Sequence, residues 1–119
     1  MASSKVTFEH VRKIAMTLPG VEEGTTYGSP CFKVRGKLIA CLAIHKSAEA
    51  NSLSVRTDFD QRSELLDEDP GVYYLTDHYR NYPFVLVRLS RIHRDSLKDL
   101  LSAAWRLAGT KKGRSERRR

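Results

Sequence analysis

Phe8, Val11, Ile14, Ala15 and Leu18 recur at intervals of three and four, the spacing that puts apolar side chains on one face of a helix. Thr7 stands before the run as a cap, and Glu9 sets a carboxylate near the positive end of the helix dipole. Pro19-Gly20 stops the run. A first helix is therefore expected over residues 8–18, with a connector over 21–26. The period then falls to two. Phe32 and Val34 alternate with Lys33 and Arg35, as Leu53, Val55 and Thr57 do with Ser54, Arg56 and Asp58. Such alternation marks a strand with one wet face. The almost wholly apolar stretch 38–44 between them reads as a more central strand.

Asp60 is placed to cap a short helix over 61–66, which Asp69-Pro70-Gly71 ends. A short strand at 72–75, a polar and aromatic loop at 77–82 closed by Pro83, and a strong strand at 84–89 follow. Asp95 then caps a last helix with a stripe of Leu97, Leu100, Leu101, Ala104 and Ala108. Trp105 borders this stripe, and Gly109 stops the helix. The order is helix, three strands, helix, two strands, helix. Antiparallel strands interrupted by helices predict a two-layer α+β sandwich, its helices on one face of the sheet.

At 119 residues, 40% hydrophobic and 29% charged, the chain has the make-up of one globular domain rather than of a disordered segment. Its net charge of +7 suggests a nucleic-acid partner until it is located. Six cations against Glu116 give the last ten residues +5, which leaves +2 for the 109 before them. The expected organisation is a domain over 1–109 and a disordered basic tail over 110–119, too polar to bury surface against the entropy of ordering. No stretch is apolar enough for a membrane helix, and the first residues lack the core of a secretory signal. A cytoplasmic monomer without membrane contact is expected.

Cys31 and Cys41 are too few for a disulfide framework. A two-residue turn at Gly36 sets them on opposite faces of the hairpin, whereas a three-residue turn sets them opposite one another. Free, partly buried thiols are expected. The four histidines show no metal-binding spacing, and the glycines form no phosphate-binding loop. No metal, no cofactor and no catalytic activity are expected.

The chain resembles the MmcQ/YjbR-like family of small bacterial proteins. The resemblance rests on Leu18-Pro19-Gly20-Val21-Glu22-Glu23, Tyr27-Gly28-Ser29-Pro30 with Phe32-Lys33-Val34-Arg35-Gly36-Lys37, and Asp60-Gln61-Arg62 with Leu65-Leu66. Tyr74-Leu75-Thr76-Asp77-His78-Tyr79, Tyr82-Pro83-Phe84-Val85 and Ala104-Trp105-Arg106-Leu107 complete it. Phe84 stands where relatives often carry tryptophan. The resemblance implies an α-β(3)-α-β(2)-α sandwich similar to secretion chaperones, and members commonly carry the label DNA-binding.

Two candidate sites follow. Lys33, Arg35 and Arg56 fall on the sheet face away from the helices, with Lys37 and Arg88 at its border; Lys111, Lys112 and Arg114 add the tail's charge. Together they form a candidate DNA interface, non-specific and salt-sensitive; the alternative is an ordinary solvated face. Tyr27, His78, Tyr79 and Tyr82 form a candidate ligand pocket, the alternative being that they satisfy loop backbone groups. The expected function is non-specific DNA binding without catalysis; the alternative is a chaperone-like module for a protein partner.

Overall fold

The computed structural model describes residues 6–26 and 28–109. Tyr27 and the basic tail, with Lys111, Lys112 and Arg114, lie outside the described residues. Helix α1 (Phe8–Ala15) leads into strands β1 (Val21–Thr26), β2 (Ser29–Val34), β3 (Lys37–Ala43) and β4 (Ser52–Arg56). Helix α2 (Phe59–Glu68), strands β5 (Tyr73–Tyr74) and β6 (Phe84–Arg88) and helix α3 (Arg94–Gly109) follow, with a 3-10 turn at Asp77–Tyr79. The strands form one antiparallel sheet in the order β1-β2-β3-β4-β6-β5. The fold is a two-layer α+β sandwich.

The segment expected to be a connector is β1, so four strands rather than three precede α2. It pairs along its whole length with β2, from Val21↔Val34 to Thr26↔Ser29. Only Val21 is buried, and residues 22–25 are exposed. An edge strand of this kind is held by backbone pairing and needs no alternating apolar pattern, so periodicity does not reveal it.

Between β2 and β3 the chain turns through Arg35 and Gly36, with φ of 53° and 81°. Positive φ at both central residues is the signature of the two-residue turn whose twist matches a hairpin. Lys33 then pairs with Leu38, but Phe32 pairs with Ala40, so Ile39 is one extra residue in β3. This bulge turns both Ile39 and Ala40 into the core. It also shifts the register, so Cys31 faces Cys41 directly. The turn length alone put them on opposite faces. Both thiols are free and buried rather than partly buried.

Val11 and Ala15 of α1 and Leu97, Leu100, Leu101, Ala104 and Ala108 of α3 form one core with Phe32, Ile39, Leu53, Val55, Val85 and Val87 of the sheet. Each large side chain so buried contributes about 1.5–3 kcal/mol. Trp105 locks the end of α3 to the α1–β1 turn, its indole N–H donating to the Pro19 carbonyl at 2.8 Å. Two caps differ from expectation. Asp58, not Asp60, caps α2 by accepting from the Gln61 N–H at 2.7 Å. Helix α3 begins at Arg94, so Asp95 lies in its first turn rather than before it.

Candidate ligand site on the open sheet face

Leu53, Val55, Val85 and Val87 point into the core, so their neighbours Ser52, Ser54 and Arg56 on β4, and Phe84, Leu86 and Arg88 on β6, take the opposite face. Among the described residues no helix layer covers that face. It carries a cavity of about 800 Å³. The floor is built from Leu38, Cys41, Ser54 and Phe84, and the wall toward β1 from Thr26 and Ser29. Ile44, His45 and Lys46, just beyond β3, close a second side; His78, Tyr79 and Tyr82 of the loop after β5 form a lid.

The polar groups of floor and wall already have partners. Ser29 Oγ donates to the Leu42 carbonyl at 2.5 Å and Ser54 Oγ to the Cys41 carbonyl at 3.1 Å. Thr26 Oγ1 lies 3.2 Å from Cys31 Sγ. Burial pushes the Cys41 thiol above its ordinary pKa and keeps it protonated. A guest on this floor therefore meets surface with little unmet hydrogen-bonding demand.

The lid is held from two sides. Arg62 of α2, buried and stacked 4.7 Å from the Phe59 ring centre, donates to the carbonyls of Tyr82 at 2.7 Å, Phe84 at 3.3 Å and Arg80 at 3.1 Å. Burial, and then the charge of Arg80, lower its pKa from the ordinary arginine value. On the other side the His45 and His78 rings stack, 3.5 Å apart and 8° from parallel, with Tyr79 edge-on to both. Ser47 links the same two segments, its Oγ 2.8 Å from His45 Nδ1 and 2.9 Å from Thr76 Oγ1. Desolvation, with the charges of His78 and Lys46, lowers the His45 pKa.

Of the residues proposed for a pocket, His78, Tyr79 and Tyr82 come together here beside Ser29. Of the described basic residues proposed for DNA, Arg88 stands apart from the rest. Arg56 and Arg88 sit at opposite ends of the β4–β6 pair. Arg56 Nε donates to the Leu38 carbonyl at 2.6 Å, at the β3 bulge, and its guanidinium lies 5.0 Å from the Phe84 ring centre. Arg88 grips Glu49 through two bonds of 2.8 and 2.7 Å, reaches the Pro70 and Gly71 carbonyls and covers Tyr74. Arg56 thus braces the bulge, and Arg88 braces the loops around Tyr74. Lys33 is half-buried, while Arg35 and Lys37 stand exposed at the β2–β3 turn. Glu23 of β1 is ion-paired to Arg12 at 2.8 Å.

Sequence reasoning missed Arg62 and His45, because a helical arginine and a loop histidine carry no sign of their distant partners. The floor did leave a signal: Ser52 and Ser54 alternate with Leu53 and Val55, small polar residues where a wet face usually carries long ones. Among the described residues no cluster of three or more His, Cys, Asp or Glu is placed to hold a metal. Among them, too, no helix is long and apolar enough to cross a membrane.

The sequence model of the YjbR family matches residues 16–107, and the chain belongs to that family. Uncharacterized proteins of Mycobacterium bovis and of two Mycobacterium tuberculosis strains are 43% identical to it over 47 residues, 40% of this chain and 36% of theirs. The matched stretch thus spans about a third of the length of these relatives. The crystal structure of protein DR2400 of Deinococcus radiodurans, a DUF419 domain, superposes with a TM-score of 0.75 at 21% identity. It covers 93% of this chain and 84% of its own, which is a likeness of fold.

Proposed function

We propose that this YjbR-family protein is a non-catalytic binding module that takes up a small, largely apolar ligand between its open sheet face and the 76–83 lid. The observation that carries this reading is the cavity itself. Its volume of about 800 Å³ falls in the range of about 300–1,000 Å³ typical of ligand sites. Its floor is apolar or internally hydrogen-bonded, and Ile44 and Tyr82, 60% and 56% exposed, leave apolar surface in water at its edge. Covering such surface is what drives association.

The test is a fluorescence titration with Nile red, a neutral dye that brightens in apolar surroundings. Saturable binding to the full chain, weakened by Tyr82→Ala and by Leu38→Asp, is expected. Absence of binding, or binding that neither substitution alters, defeats the reading. A second reading, non-specific DNA binding, is favoured by the exposed Arg35 and Lys37 beside Lys33 at one turn. Counterion release makes it separable: oligonucleotide affinity should fall steeply with salt and respond to Arg35→Ala but not to Tyr82→Ala.

A further inference from the structure

The mouth of the cavity is one-sided in charge. Among the described residues its lining includes Lys46, His45 and His78 and no aspartate or glutamate. The nearby carboxylates are engaged elsewhere, Asp77 with Arg80 at 2.8 Å and Glu49 with Arg88 at 2.7 Å. Lys46, by contrast, has no ion-pair partner among the described residues. It lies close enough to His45 for its charge to act on that ring.

The histidines add directed donors. The Ser47 backbone N–H donates to His45 Nδ1 at 3.0 Å, so Nδ1 is the acceptor and the neutral ring carries its proton on Nε2. His78 meets the described residues through its ring faces and edges rather than through hydrogen bonds. An ammonium, an Nε2–H donor and a second imidazole thus gather at one end, and Leu38 and Phe84 lie on the floor. Arg56 does not extend the charge inward, because Leu38 and Phe84 hold its guanidinium.

Building on the binding reading above, we infer that the ligand is an anionic amphiphile, an alkyl or aryl carboxylate. Its apolar chain lies on the Leu38–Phe84 floor and its head group meets Lys46, His45 and His78. A neutral chain of the same length satisfies the floor and leaves the mouth's donors facing water. The carboxylate satisfies both ends.

Calorimetric titration of the full chain with octanoate and with octanol, at low and high salt, tests this. Octanoate should bind about threefold to tenfold more tightly, the margin one or two half-exposed ion pairs supply. High salt should shrink that margin, and Lys46→Gln should bring octanoate to the octanol level. Lys46 is exposed, so its replacement leaves the fold intact. Equal or tighter binding of octanol to the unaltered chain overturns the anionic assignment and leaves the cavity reading standing. Failure of both ligands to bind overturns the two together.

Discussion

Replacing Arg62 by methionine removes the guanidinium that ties α2 to the lid while keeping most of the side chain's apolar stem. Three backbone carbonyls, of Arg80, Tyr82 and Phe84, lose a charged donor. A hydrogen bond to a charged group is worth about 1.5–3 kcal/mol, and two of these, at 2.7 and 3.1 Å, have good length. Against that sum stands the cost of holding a guanidinium out of water, which the substitution relieves. A net loss of about 2–4 kcal/mol is expected. Tyr82 and Arg80 are exposed, so their carbonyls regain water by lifting the lid rather than by unfolding the sheet. Most of the loss should therefore appear as local opening. Urea denaturation reads the global part, and amide hydrogen exchange across residues 79–84 reads the local part. Exchange there should quicken by about tenfold or more, the factor that 1.4 kcal/mol supplies, while the core strands β3 and β4 change little. A loss below about 0.5 kcal/mol, the size of an ordinary surface substitution, with unchanged exchange in the lid refutes the role assigned to Arg62.

Other consequences are independent of that one. Thr57 Oγ1 is buried without a hydrogen-bond partner among the described residues, so Thr57→Val should leave stability unchanged or raise it by up to about 1 kcal/mol in urea denaturation; a clear loss contradicts the orphaned hydroxyl. The lowered His45 pKa means that the proton binds more readily once the His45–His78 stack opens. In the ligand-free protein the closed lid should therefore hold at neutral pH and loosen as pH falls through the ordinary histidine value of about 6.5, seen as a fall in the lid's protection factors, with intrinsic exchange rates divided out, that His45→Phe weakens; protection indifferent to pH contradicts this. Directly opposed strand residues have Cα atoms about 4.5–5.5 Å apart, inside the disulfide window of about 4.4–6.8 Å. Diamide should therefore join Cys31 to Cys41 within one chain, slowly because both are buried, giving a mass loss of two hydrogens and blocked maleimide labelling; disulfide-linked dimers alone contradict the register.

The sandwich was legible because its determinants are periodic: the α3 leucine stripe and the alternation in β2 and β4 stand in the sequence whatever the tertiary context. What stayed hidden depends on backbone pairing or on distant partners. The 21–26 segment looked like a connector because an edge strand with one buried residue has no pattern to show. The β3 bulge was invisible because Leu38, Ile39 and Ala40 are all apolar, so inserting one of them breaks no alternation. At the site, His78, Tyr79 and Tyr82 drew notice as a polar-aromatic cluster, whereas Arg62 and His45 became meaningful only once the lid's carbonyls and rings had positions. Arg56 and Arg88 illustrate the converse. Their charge suggested an interface, and their geometry assigns them to bracing the bulge and the loops around Tyr74.

Magnetic-resonance titration of the nitrogen-labelled full chain with octanoate locates the bound amphiphile residue by residue. Saturable shifts are expected at Ser29, Cys41 and Ser54 and across residues 76–82, with the buried faces of α1 and α3 silent. Shifts confined to the Lys33–Lys37 turn or to the helical layer, or none at all, contradict the cavity reading.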